Sequence, residues 1–288
     1  MAEKLSLVDI LHKAEKGDTE AQFYMGQYYM DGEARTADLA RAFRWFEMAA
    51  SGGHAEALNH MGMFYLAGAE GEPNPEKAFT YFKEAAEKGS GAGALNLADC
   101  YENGEGTKQD YEMAFFWYSK AAEKGIAEAD ASLGLFYEFG NVVEQDHQEA
   151  MRLFMRPAEN GSLGAKYHLA RHYYGREDYR NALRCFKQAA EAGIPAAAYE
   201  LGRMYDEGVG TDKDPQQALE WYVKALKGGD PDAAYALGVR YMLGSGVEQD
   251  RDLAWQLFES AADQGHELAM INLQNLAELG YGPKEQDS

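Results

Sequence analysis

A small residue returns at an almost fixed interval along this 288-residue chain. Gly26, Gly62, Ala98, Gly134, Ala170, Gly202 and Gly238 are separated by 36, 36, 36, 36, 32 and 36 positions. Each follows a Leu or Met and precedes a Tyr by three, from Met25 and Tyr29 to Leu237 and Tyr241. Self-similarity at this period dictates stacked supersecondary units, because one unit alone cannot bury its apolar face. A chain built this way is mostly surface, and such surfaces commonly bind other molecules.

Residues 197–230 show the unit clearly. Ala197, Leu201, Met204 and Tyr205 recur at helical spacing and predict one apolar stripe. Gly208 supplies the left-handed residue that ends this first helix. Asp214 is placed to cap the second helix and Pro215 to occupy its first turn. Ala218, Trp221, Tyr222 and Ala225 form the second stripe, closed by Gly229. In the other copies, caps fall at Asp38, Asn74, Asp110, Asp146 and Asp250, each six residues after Gly32, Gly68, Gly104, Gly140 and Gly244. The ends are atypical. Residues 5–17 read as a lone second helix, with Ala14 and Gly17 in register. Residues 267–280 read as a lone first helix, ending at Gly280, in which Gln274 replaces the small residue. The expected organisation is one all-α solenoid over 1–283: a cap helix 5–17, seven repeats over 21–265, a cap helix 267–280, and a flexible tail 284–288.

The formal charge of −21 argues against nucleic acid and anionic membrane as partners, since both attract basic surfaces. It either favours a basic protein partner or serves solubility. Cys100 and Cys185 stand at non-equivalent positions of different repeats, so they imply no disulfide framework. The opening residues contain no apolar run of signal-peptide length, and no stretch of membrane-spanning length occurs. A cytoplasmic location fits these features.

The unit resembles the Sel1-like repeat, a relative of the tetratricopeptide repeat. Its pattern is nearly spelled out by AAYALGVRYMLGSGVEQDRDLAWQLFESAADQG at 233–265, and the 36-residue period matches it better than the tetratricopeptide period. The resemblance implies a right-handed α-solenoid of antiparallel helix pairs. It also implies an adaptor or scaffold role in protein complexes, often bacterial, with no catalytic chemistry and no cofactor. The per-repeat cysteines of one secreted subgroup of the family are missing here.

The pattern breaks in one region. Pro157 replaces the first Ala of the Ala-Ala pair in the fourth copy and predicts a kinked second helix. The fifth copy then loses four residues from its loop. These breaks are either drift in a tolerant repeat or a change of path near 153–182 that shapes a partner site. The loop AEGEPNP of the second copy reads as a solvated loop.

No P-loop, nucleophile elbow or dinucleotide-binding glycine run occurs in a strand context, and helix ends account for the glycines. His168 and His172 share a helix face at i, i+4, with Glu200 equivalent to His168 one copy later. Structural or surface roles explain these residues better than a metal site, because no H-E-x-x-H motif accompanies them. The expected binding surface is the concave face lined by first helices. There the residues two before and two after the Leu of each Leu-small step point inward. The candidates are Asn59 and Met63, Asp99, Tyr167 and Arg171, Tyr199 and Arg203, and Tyr235, with Arg240 one place beyond this register. Tyrosine and arginine suit a hot spot for a protein or peptide, and guanidinium groups can receive a partner carboxylate. Packing between helices competes as a role for the tyrosines, and pairing with nearby acids for Arg171 and Arg203. The sequence therefore points to a non-catalytic interaction scaffold. An alternative is an immunity or inhibitor protein that neutralises a basic toxic enzyme.

Overall fold

A computed structural model describes residues 6–31, 37–69, 71–278 and 281; Leu5, Gly32, Gly280 and the tail 284–288 lie outside them. The described residues form sixteen α-helices and no strand. In order they are α1 (Leu7–Glu15), α2 (Thr19–Met30), α3 (Leu39–Ser51), α4 (Ala55–Leu66), α5 (Pro75–Glu87), α6 (Gly91–Asn103), α7 (Tyr111–Glu123) and α8 (Ala127–Phe139). Then follow α9 (His147–Glu159), α10 (Leu163–Gly175), α11 (Tyr179–Glu191), α12 (Pro195–Glu207), α13 (Pro215–Lys227), α14 (Pro231–Leu243), α15 (Arg251–Ala262) and α16 (Glu267–Glu278). Even-numbered helices from α2 to α14 are first helices and odd-numbered ones from α3 to α15 are second helices. The chain is an all-α repeat solenoid. It divides into two compact units, Met1–Arg156 and Pro157–Ser288.

The sequence sets each helix boundary through its caps. The side chains of Asp38, Asn74, Asp110, Asp146, Asp214 and Asp250 accept backbone N–H groups at the start of α3, α5, α7, α9, α13 and α15. Each such bond satisfies a donor that the helix cannot satisfy itself, and contributes about 1 kcal/mol. Left-handed glycines end first helices at Gly104, Gly140, Gly208 and Gly244.

The recurring small residue has a direct steric cause. A Cβ on Gly26, Gly62, Gly134, Gly202 or Gly238 would lie 2.4–2.9 Å from the ring of Phe46, Phe82, Phe154, Tyr222 or Phe258 respectively. These rings come from the second helix of the same repeat and are almost fully buried. Burying one such side chain contributes roughly 1.5–3 kcal/mol. The second-helix alanines Ala42, Ala78, Ala114, Ala150, Ala182, Ala218 and Ala254 have no exposed surface, so helices approach closely there.

A backbone bond closes every repeat. The carbonyl of the pattern Tyr accepts the N–H of the residue that caps the next helix: Tyr29 from Asp38, Tyr65 from Asn74, Tyr101 from Asp110, Tyr137 from Asp146, Tyr205 from Asp214 and Tyr241 from Asp250. The short fifth repeat makes the same bond, from Asp178 N–H to Tyr173 O at 2.9 Å. Its loop turns through Glu177, a non-glycine residue at φ +62°. The four-residue loss is therefore taken up within the turn, and α10 and α11 keep 13 residues each. Helix α9 continues through Pro157 to Glu159, and the boundary between the two units falls at this proline.

Candidate protein-binding face

In the second unit the first helices carry a register of tyrosines. Tyr167, Tyr199 and Tyr235 each lean on the second-helix ring of their own repeat, with centroids 6.0 Å from Phe186, 5.7 Å from Tyr222 and 5.8 Å from Phe258. All three are half-buried. Burial pushes the Tyr199 phenol up to about 12. These residues act in part as packing between helices, while their remaining surface faces outward.

One turn further along, Arg203 directs both Nε and Nη2 at Glu200 Oε2, at 3.0 and 2.8 Å. It also lies 3.8 Å from Glu207 and 5.0 Å above the Tyr174 ring. About a third of its side chain stays exposed. Arg171 holds the equivalent position on α10. Arg240 is turned inward instead. It is 7% exposed, pairs with Asp206 at 2.6 Å, and stands 5.4 Å above the Tyr222 ring. Buried charge is tolerable only with such a partner. Arg240 takes the register of Phe64, Cys100, Phe136 and Met204, all core residues of other repeats. The sequence places it one position off the binding register, and that offset turns its side chain into the core.

The first unit is arranged differently. Asn59 is 4% exposed and accepts from Asn96 Nδ2 at 2.7 Å. Its own amide points at the Met63 sulfur, and Met63 itself is 47% exposed. Asp99 accepts the Tyr118 hydroxyl at 2.6 Å, and burial raises its carboxyl above the ordinary range. Asn59 and Asp99 are thus engaged within the fold, and Met63 is the open member of this group.

Sequence reasoning missed a staple that occurs twice, once in each unit. His54 accepts the Ala57 N–H at the start of α4, stacks on Phe23 at 4.4 Å, and directs Nε2 at Glu20. His266 accepts the Ala269 N–H at the start of α16, stacks on Tyr235 at 4.5 Å, and directs Nε2 at Asp232. The sequence signal was a Gly-His step after a second helix, each His lying 31 residues after the aromatic residue it stacks on. Among the described residues, no three His, Cys, Asp or Glu side chains are grouped to hold a metal ion, and His168, His172 and Glu200 form no such set. Cys100 and Cys185 are buried free thiols, and burial pushes Cys100 up to about 12.

Helix pairs of 12 or 13 residues a helix, closed by one backbone bond and packed ring against small residue, define an α-solenoid of the tetratricopeptide-like class. The chain belongs to the Sel1 repeat family, whose model matches 19–54, 55–90, 91–126, 127–162, 163–194, 195–230 and 231–266. Repeats of this family mediate protein–protein interaction. One similar structure is a protective antigen of uropathogenic Escherichia coli displaying an SLR fold. It is 32% identical with a TM-score of 0.77, and the match covers 96% of this chain and 60% of that one. This chain thus spans 60% of that protein's length, less than two thirds. Another is a Sel1 repeat protein from Oxalobacter formigenes, 29% identical with a TM-score of 0.66, covering 94% and 80% respectively. No curated protein matches the sequence.

Proposed function

We propose that this protein is a non-catalytic interaction scaffold. On this reading it receives a protein or peptide on its first-helix face, with Tyr167, Tyr199, Tyr235, Arg171 and Arg203 at the centre of that face. The observation that carries the reading is the repetition of one half-buried tyrosine at one register on three successive first helices, two of them followed by arginine one turn on. Tyrosine and arginine provide large contact area with polar tips, the composition of interface hot spots. The charge of −21 supports a basic partner. No helix among the described residues is long and apolar enough to cross a membrane. Buried free thiols suit a reducing compartment such as the cytoplasm.

The test is affinity purification from the native host with mass spectrometry, comparing the wild type with Arg171→Glu and Arg203→Glu. Circular dichroism would verify that the variants fold. Loss of a recovered partner on either charge reversal is the expected result. Recovery unchanged in both variants rejects this face, and a folded protein that captures nothing rejects the scaffold reading. A narrower form, favoured by the same acidic charge, is an immunity protein that neutralises a basic toxic enzyme. Failure of coexpression to rescue cells from a toxin encoded beside it would remove that form.

A further inference from the structure

The second-helix rings meet side chains of neighbouring first helices. At three of these rings the covering side chains are polar. His60 stacks on Phe46 at 4.4 Å with an interplanar angle of 12°. Asp99 and Glu102 both meet the Tyr118 hydroxyl. The ion pair of Asp206 and Arg240 lies over Tyr222. At the seventh repeat the positions of Asp206 and Arg240 are occupied by Met242 and Leu276, 36 residues on in each case. The Asp206–Arg240 pair is thus replaced by apolar side chains, and a cavity of about 200 Å³ remains, floored by Phe258 and lined also by Val239, Leu243, Asn272 and Asn275.

Three properties of this cavity specify its occupant. Its volume is below the roughly 300–1,000 Å³ of small-molecule sites and suits one large side chain. Leu243 at its rim is 70% exposed, so part of the pocket's apolar wall is open to a partner. The segment that forms it is acidic in composition: residues 231–278, from α14 to α16, hold two arginines against eight carboxylates, and Arg240 is one of the two. Exposed Glu278 follows Leu276 by two residues, and Glu207 holds the register of Leu243 one repeat earlier.

We infer that this pocket takes a single leucine- or phenylalanine-sized side chain from an extended segment of a partner protein, with lysine or arginine beside that residue. The carboxamides of Asn272 and Asn275 stand at the rim to meet the segment's main chain. An apolar anchor in a pocket surrounded by complementary charge is an economical way to combine affinity with selectivity. The inference rests on the first-helix face being the binding surface, and adds to it a specificity pocket outside the tyrosine–arginine register.

The probe is a cellulose array of nonapeptides with a central Leu, Phe, Ala or Asp, flanked by Lys or by Glu, exposed to the intact protein. Central Leu and Phe with Lys flanks should bind best, with Ala about tenfold weaker or worse, given the methylene groups lost from the pocket. Leu243→Lys, at a position exposed enough to leave folding intact, should abolish the preference. Indifference to the central residue, preference for Glu flanks, absence of binding, or an unchanged pattern with Leu243→Lys would each overturn the proposal. So would a dimer in sedimentation velocity that Leu243→Lys dissolves, because the occupant would then be a second copy. If a native partner is lost with Arg171→Glu or Arg203→Glu but retained with Leu243→Lys, the pocket is rejected and the broader reading stands.

Discussion

At Gly62 the Phe82 ring already fills the space that a side chain would need. A Cβ there would lie 2.4 Å from Cε1 of that ring, nearer than carbon atoms tolerate. Gly62→Ala should destabilise the protein by about 1–3 kcal/mol through overpacking, measured by urea unfolding. A neutral result would mean that the ring moves freely and that the small residue is not sterically required. Glu177 presents the opposite case. Its φ of +62° stores strain that glycine would not, so Glu177→Gly should raise stability by about 1 kcal/mol. A fall in melting temperature would show that the side chain compensates for the strain. The sequence disclosed the need for glycine in the first case, because the pattern repeats. It was silent in the second, because the turn of the fifth repeat follows no pattern.

Contacts between helices explain what was legible and what was not. Helix starts, helix ends and the ring-on-glycine packing follow from residues a few positions apart, and the caps at Asp38, Asn74, Asp110, Asp146, Asp214 and Asp250 are where the sequence places them. The fate of the candidate site residues depends on neighbours one repeat away, such as Asp206 for Arg240 and Asn96 for Asn59. No pattern within a repeat reveals them. Asp206→Ala should cost about 3 kcal/mol by leaving Arg240 buried and unpaired, whereas Arg240→Met should be close to neutral. Equal costs would mean that the pair stabilises in its own right.

His60, stacked on Phe46, sets a pH dependence between α3 and α4. Burial holds its imidazole below the ordinary 6.5 despite Glu56 and Asp31 nearby, with His54 acting in the same direction as burial. The unfolded chain therefore takes up this proton first as pH falls. The contribution is fully present above pH 6.5 and is lost on acidification toward the lower folded value. His60→Leu should flatten the stability profile across that window, by up to about 1.4 kcal/mol per pH unit. Parallel profiles for the two proteins would exclude His60 as the cause.

For the molecule as a whole, a charge of −21 means that folding gathers like charges. Raising salt shortens the screening length from roughly 30 Å at 0.01 M to about 8 Å at 0.15 M. The melting temperature should therefore rise across that range, as differential scanning fluorimetry would show. A fall would indicate that ion pairs such as Arg203 with Glu200 outweigh the net repulsion.

The backbone bond from each capping residue to the pattern tyrosine spans nine residues in six repeats and five in the fifth, from Tyr173 to Asp178. Closure is thus fixed by two anchor atoms rather than by the length of chain between them. The outer turns are consequently natural points of attachment, where an epitope, a fluorophore-binding peptide or a whole inserted module can be grafted without disturbing the helices on either side. Within a lineage, the same freedom would let these turns diversify in length while the helical scaffold stays constant.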